Sequence, residues 1–170
     1  MTICIVSLTL TTVAQSNVSP SGARCDYCKI KTNNGKPNTF CKYMSSRNKP
    51  HARCTKTYTV GLEKPDVEAV LKAHNDYRSK VALGKESNLK GKQAADMMEL
   101  RYSYELALGA QSWANQCLFK HDASATCKYK WIGQNLYTNK RRGEPQDPKG
   151  NWDKPVDAWY SEVLSSIRIN

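Results

Sequence analysis

The sequence predicts an α/β fold with three amphipathic helices, one clear strand and an amino-terminal segment stapled by disulfides. Three observations lead there. Apolar residues recur at three- and four-residue spacing in three separate stretches, which is the period of a helix face. Residues 131–138, WIGQNLYT, alternate weakly and are rich in strand-forming side chains. Six of the seven cysteines, Cys25, Cys28, Cys41, Cys54, Cys117 and Cys127, lie behind an uncharged apolar leader.

That leader is residues 1–14, MTICIVSLTLTTVA. It has no charge, is too short to span a bilayer, and offers a small residue, Ala14, for cleavage, so it reads as a signal peptide. Cys4 leaves with it. The remaining even cysteine set reads as a disulfide framework in a secreted protein. The spacing Cys25-x2-Cys28 also suits zinc, but neither paired histidines nor a second C-x2-C accompanies it. About 156 residues then remain, the size of one domain.

Residues 15–60 form a cysteine-rich extension of Asn, Gly, Lys and Pro without a sustained period. From residue 61 a second region begins. Val67, Val70, Leu71, His74 and Val81 mark the first helix face. Pro65 suits its first turn, Asp66 and Glu68 complement its dipole, and Gly84 marks its end. The second helix carries Leu106, Ala110, Trp113, Ala114 and Cys117 on one stripe. The strand at 131–138 follows, and then a loop at 139–154 that holds the tight basic cluster Lys140-Arg141-Arg142. Pro155 opens the third helix, with Val156, Trp159, Val163 and Ile167 on one side.

The formal net charge of +11 favours acidic partners, such as an anionic glycosaminoglycan or membrane surface. An extracellular location argues against nucleic acid. No nucleophile elbow, phosphate-binding loop or paired-carboxylate signature is present. Nothing in the chain asks for a cofactor.

Five segments taken in order carry a family resemblance: YCKIK at 27–31, HNDYR at 74–78, WANQCLFKHD at 113–122, GQNLY at 133–137 and WYSEV at 159–163. Together they resemble the antigen-five branch of the CAP superfamily, with its SCP domain, the secreted allergens of insect venom and blood-feeder saliva. The resemblance covers roughly residues 25–165. It implies an α-β-α sandwich in which helices flank a small antiparallel sheet. It also implies that 61–170 is a partial CAP domain, because family members continue into further strands. The strand's family partners would lie beyond Asn170, which predicts a marginally folded chain with an exposed strand edge.

The resemblance further implies a cavity lined by two histidines and two acids. The first histidine matches His121, the first acid falls at Gln134, and the second acid matches Glu162; the second histidine has no counterpart. An amide at 134 cannot exchange a proton near neutral pH. One imidazole and one carboxylate also make a poor zinc site, so no metal is expected. His74 and Arg78 read as structural: His74 bonded to Glu162 or a backbone carbonyl, Arg78 paired with a core acid or lying at the surface. Trp113 and Trp159 read as core aromatics. For the bridges the family pattern suggests Cys25–Cys41, Cys28–Cys127 and Cys54–Cys117, with exchange of the partners of Cys25 and Cys28 as the main alternative. The implied function is a secreted, non-catalytic protein that binds host lipids, small mediators or proteins. The alternatives are a secreted hydrolase using His121 and Glu162, or a sterol-binding defence protein.

Overall fold

The computed structural model describes residues 2–6, 25–32, 34–46, 49–54, 62–139 and 152–162, which fall into two units, each drawn from distant stretches of the chain. Of these, the first takes in residues 2–6, 25–32, 34–46, 49–54 and 103–139, and the second residues 62–102 and 152–162.

In the first unit a short helix lies where the sequence showed no period: α1 (Thr39–Tyr43), running on into a 3-10 turn at Met44–Ser46. Asn38 caps it, its Oδ1 accepting from the Phe40 N–H. The same side chain, 4 % exposed, donates to the carbonyls of Tyr27 and Ala125 at 3.2 and 2.8 Å and accepts from the Ala125 N–H. One buried amide thus fastens three chain segments, with both of its ends satisfied. Phe40, 2 % exposed, stacks on Tyr27 with ring centroids 4.9 Å apart. The Tyr27 hydroxyl donates to Glu105 at 2.8 Å, and burial together with that carboxylate pushes the phenol up to about 12.

Helix α3 (Tyr104–Ala114) begins at Ser103, whose hydroxyl accepts from the Leu106 N–H. It buries Leu106, Gly109, Ala110, Ser112 and Trp113. Trp113 and Ala110 form a core against which Tyr43, Ala114, Leu118 and Leu136 pack. Cys117, assigned from the sequence to this helix face, lies beyond the helix end instead. Its φ is +49°, a left-handed conformation that ends the helical path. Spacing alone could not register that reversal.

Three bridges staple this unit. Cys54–Cys117 closes 63 residues, and Cys25–Cys127 closes 102. The third is Cys28–Cys41, so the exchanged pairing replaces Cys25–Cys41 and Cys28–Cys127. The cause is a turn at Asp26: its Oδ1 accepts from the Cys28 N–H at 3.1 Å, and its carbonyl accepts from the Lys29 N–H at 3.1 Å. The turn reverses the chain between the two cysteines. Cys25 is left beside Cys127, whose N–H lies 3.2 Å from its sulfur.

The strand β2 spans Asn135–Asn139, four residues later than the sequence suggested at its start. Gln134 is held by side-chain bonds to another loop and does not enter the ladder. The sequence reading left this strand without a partner inside the chain. The structure pairs it antiparallel with β1 (Thr2–Val6), Thr2 opposite Asn139 and Val6 opposite Asn135. The run TICIV lies inside the apolar leader, and its β-branched residues suit a strand as well as an h-region.

In the second unit, α2 (Lys64–Ala82) carries Pro65 in its first turn, with the Glu63 N–H donating to Asp66 at 3.0 Å. The chain turns away just past its end at Gly84, where φ is +68° and a Cβ would sit 2.8 Å from the Gly91 carbonyl oxygen. Only glycine fits both demands. Helix α4 (Asp153–Ser161) packs on α2. Tyr77 and Tyr160 stack at 3.8 Å, Tyr77 donates to Asp157 at 2.6 Å, and the Trp152 indole donates to Asp66 at 2.9 Å. Val163, Ile167 and the 140–142 basic cluster lie outside the described residues.

The lock of this unit is Glu86, 1 % exposed. It accepts from Lys80 at 2.7 Å, from the Tyr160 hydroxyl, and from the backbone and side chain of Asn88. The Lys80 ammonium first, then Tyr160 and Asn88, hold its carboxyl down at about 2, from an ordinary 4.5. This buried ion joins α2, the following turn and α4.

Two predictions follow from these contacts. A Cβ on Gly109 would lie 2.3 Å from the Phe40 ring. Overpacking of roughly 1–3 kcal/mol therefore outweighs alanine's helix advantage of about 1 kcal/mol. Gly109→Ala should lower stability in a urea melt, and adding Phe40→Leu should recover part of the loss. A depressed carboxyl contributes stability above 4.5 that disappears as pH falls toward 2. The fall in melting temperature across that window should be flatter in Glu86→Gln than in the wild-type chain; equal slopes would remove Glu86 from the account.

Candidate functional site

Two loops of the first unit meet at Gln134. Trp113 in α3 donates its indole N–H to the Lys120 carbonyl at 2.7 Å, which fixes the chain just before His121. Gln134 stands immediately before β2. Its Oε1 lies 3.2 Å from the Asp122 N–H and 3.1 Å from His121 Nδ1, and its Nε2 donates to Asp122 Oδ1 at 3.0 Å. Ser124 donates its hydroxyl to the other carboxylate oxygen of Asp122.

These bonds fix protons as well as positions. A backbone N–H can only donate, so the amide atom facing Asp122 N must be oxygen, and the NH2 group then faces the carboxylate. An imidazole nitrogen beside that oxygen must carry hydrogen. The neutral His121 ring is therefore the Nδ1–H tautomer, with its lone pair on Nε2. His121 itself is exposed.

The amide does here what a carboxylate could not. With an acid at 134, an oxygen would face Asp122 Oδ1 across the present 3.0 Å contact. Two carboxylates at that range must share a proton. Glutamine donates to one neighbour and accepts from the other, closing the network without a net charge of its own. For the same reason it orients His121 without balancing the charge of an imidazolium.

Glu162 belongs to the second unit, exposed just past the end of α4. In that unit His74 donates its Nδ1–H to the Val70 carbonyl, 2.8 Å away one turn earlier. Its ring sits 5.8 Å from that of Trp159, which is half-buried rather than a core residue. His74 Nε2 is buried without a hydrogen-bond partner. Burial, and then the neighbouring Arg78 charge, push this imidazole below its ordinary 6.5. Arg78 neither pairs with a core acid nor lies free at the surface. It is half-buried and donates Nε to the Met98 carbonyl at 2.6 Å, and burial lowers its pKa. Asn75 clamps the same loop, exchanging two bonds with the Leu100 backbone at 3.0 and 2.8 Å.

The structure thus brings His121 and Gln134 together and adds Asp122 and Ser124, which sequence reasoning did not single out. Asp122 stood next to His121 in the KHD run, and Ser124 two residues on suits an Asx-type turn. Glu86 carried no sequence signal at all. Among the described residues, no three of His, Cys, Asp and Glu gather closely enough to hold a metal ion. No helix among them is long and apolar enough to cross a membrane.

Residues 71–166 match the CAP, cysteine-rich secretory protein, family. The chain is 38 % identical over 143 residues to a venom allergen 3 homolog of Dinoponera quadriceps, an alignment covering 81 % of this chain and 60 % of that protein. It is 39 % identical over 142 residues to venom allergen 5 of Vespula maculifrons, covering 81 % and 67 %. Venom allergen 3 of Solenopsis invicta is 32 % identical over 164 residues, covering 94 % and 68 %. No solved structure matches. The chain belongs to the CAP family. It spans 60 % of the length of the Dinoponera relative and 67 % of the Vespula one. Three disulfides fit an oxidising, extracellular setting.

The state of His74 should be visible in solution. A base held below 6.5 in the fold leaves the unfolded chain binding more protons as pH falls. Its stability contribution is therefore complete above 6.5 and declines below it. His74→Phe should flatten the slope of stability against pH just below 6.5, measured by chemical denaturation. An unchanged slope would show that His74 takes no part.

Proposed function

We propose that this protein is a secreted, non-catalytic CAP protein of the venom or salivary type, which acts by binding a host lipid, small mediator or protein. The observation that carries this reading is the Gln134 amide, held between Asp122 and His121. General acid–base work needs a group that gives up and regains a proton near neutral pH, and an amide does neither. His121 is left oriented, exposed and without a carboxylate at Nδ1. The likeness to venom allergens supports the venom or salivary setting. The disulfide framework supports secretion.

The direct test incubates the purified, oxidised chain with peptide and ester substrates, and separately identifies by mass spectrometry any small molecule it retains from a lipid extract. The expected result is retention without turnover. Turnover lost in a folded His121→Ala variant would overturn the reading. Gln134→Glu provides a second check: placing a carboxylate against Asp122 should destabilise the chain by roughly 1–3 kcal/mol at neutral pH. The deficit should shrink on acidification as the pair takes up a proton. A loss independent of pH would contradict the proposed hydrogen-bond pattern.

A further inference from the structure

The two loops joined by the His121–Gln134 contact carry exposed basic and aromatic side chains that the site chemistry does not use. Phe119 is 54 % exposed and Trp131 75 % exposed. Lys120, Lys128 and Lys130 are exposed too, each within three residues of one of these rings in sequence. The single acid in residues 118–134, Asp122, is engaged by Gln134 and Ser124. Sequence periodicity explains neither ring, and the core of this unit uses neither.

The scaffold beneath is fixed. The Trp113 bond to the Lys120 carbonyl holds one loop, the Cys25–Cys127 bridge holds the chain between the loops, and the 3.1 Å His121–Gln134 contact ties them together. Phe119 is two residues from His121 and Trp131 three from Gln134, so each ring is within about 7–11 Å of backbone from that contact. The Lys128 ammonium lies 5.1 Å over the Tyr129 ring, which keeps its charge on this part of the surface.

We propose that this surface, Phe119, Lys120, Lys128, Lys130 and Trp131, docks the protein onto an anionic lipid membrane. The proposal rests on the binding-protein reading above and names where such a protein would meet its target. A partner must supply two things at once: negative charge for three lysines and an apolar layer for two exposed rings. A bilayer with acidic headgroups offers both, with indole at the headgroup level and ammonium groups over the phosphates. A sulfated polysaccharide offers the charge but no apolar layer. The overall +11 charge draws the chain to either surface, so it is the rings that choose.

The test is co-sedimentation of the full oxidised chain with vesicles of phosphatidylcholine alone or of phosphatidylcholine with phosphatidylserine, alongside a heparin column. The expected result is binding only to the phosphatidylserine vesicles, with a blue shift in tryptophan emission. Both should fall about tenfold or more in Phe119→Ser/Trp131→Ser and in Lys128→Glu/Lys130→Glu. Non-reducing peptide maps and circular dichroism establish that both variants fold, and Lys29→Glu/Lys92→Glu controls for charge alone. Heparin binding without vesicle binding overturns the proposal in favour of a polysaccharide. Vesicle binding unchanged by the aromatic variant, or weakened equally by the control, overturns it in favour of unspecific charge attraction. Retention of a small ligand with no vesicle binding would leave the binding-protein reading standing and this surface unsupported. His121-dependent turnover with vesicle binding would do the reverse.

Discussion

One buried amide holds the first unit together. Asn38 caps α1, and the same side chain reaches the backbone of residues 27 and 125. Each bond alone is worth about 1 kcal/mol net, but leaving its buried partners unsatisfied costs about 1–3 kcal/mol apiece. Because the amide meets two carbonyls with its NH2 and two N–H groups with its oxygen, no other residue of similar size satisfies all four. The stack of Tyr27 on Phe40, the approach of Phe40 to Gly109 and the turn that sorts Cys25 from Cys28 are all built around that position. Cys25–Cys127 and Cys54–Cys117 close long loops, while Asn38 fixes the backbone beside Cys28 and Cys41.

The second unit solves a similar problem with charge. Glu86 is buried and ionised because a lysine, a phenol and an asparagine all converge on it. An ion pair of this kind is a weak source of net stability and a strong constraint on geometry, since any other arrangement of α4 takes the Tyr160 hydroxyl away from the buried carboxylate. The stacked tyrosines add apolar contact beside it.

Legibility from sequence followed the range of the interactions. Helix α2 was readable because Pro65, Asp66 and Gly84 act on their own neighbourhood, and the α3 stripe because burial repeats at helical spacing. The five residues of α1 had no period to detect, and their cap was recognisable only with its distant partners. Cys117 fitted the α3 spacing yet left the helix, since spacing is blind to a reversal of φ. The start of β2 was misplaced because Gln134 spends its side chain on a loop twelve residues away in sequence. At the site, His121 and Gln134 were found through family resemblance. The role of Asp122 emerged only when both loops could be seen together.

The pairing of β1 with β2 has a consequence in time. Val6 and Asn135 are opposite one another in the ladder, but a ribosome makes them far apart. At about 5–20 residues per second, the amino-terminal run exists for on the order of ten seconds before its partner strand is synthesised. During that interval TICIV is an apolar segment with nothing of its own chain to pair with, open to whatever machinery reads emerging chains. Its fate is then a race between two recognitions, one by the cell and one by the protein itself, and synthesis gives the cell the earlier start.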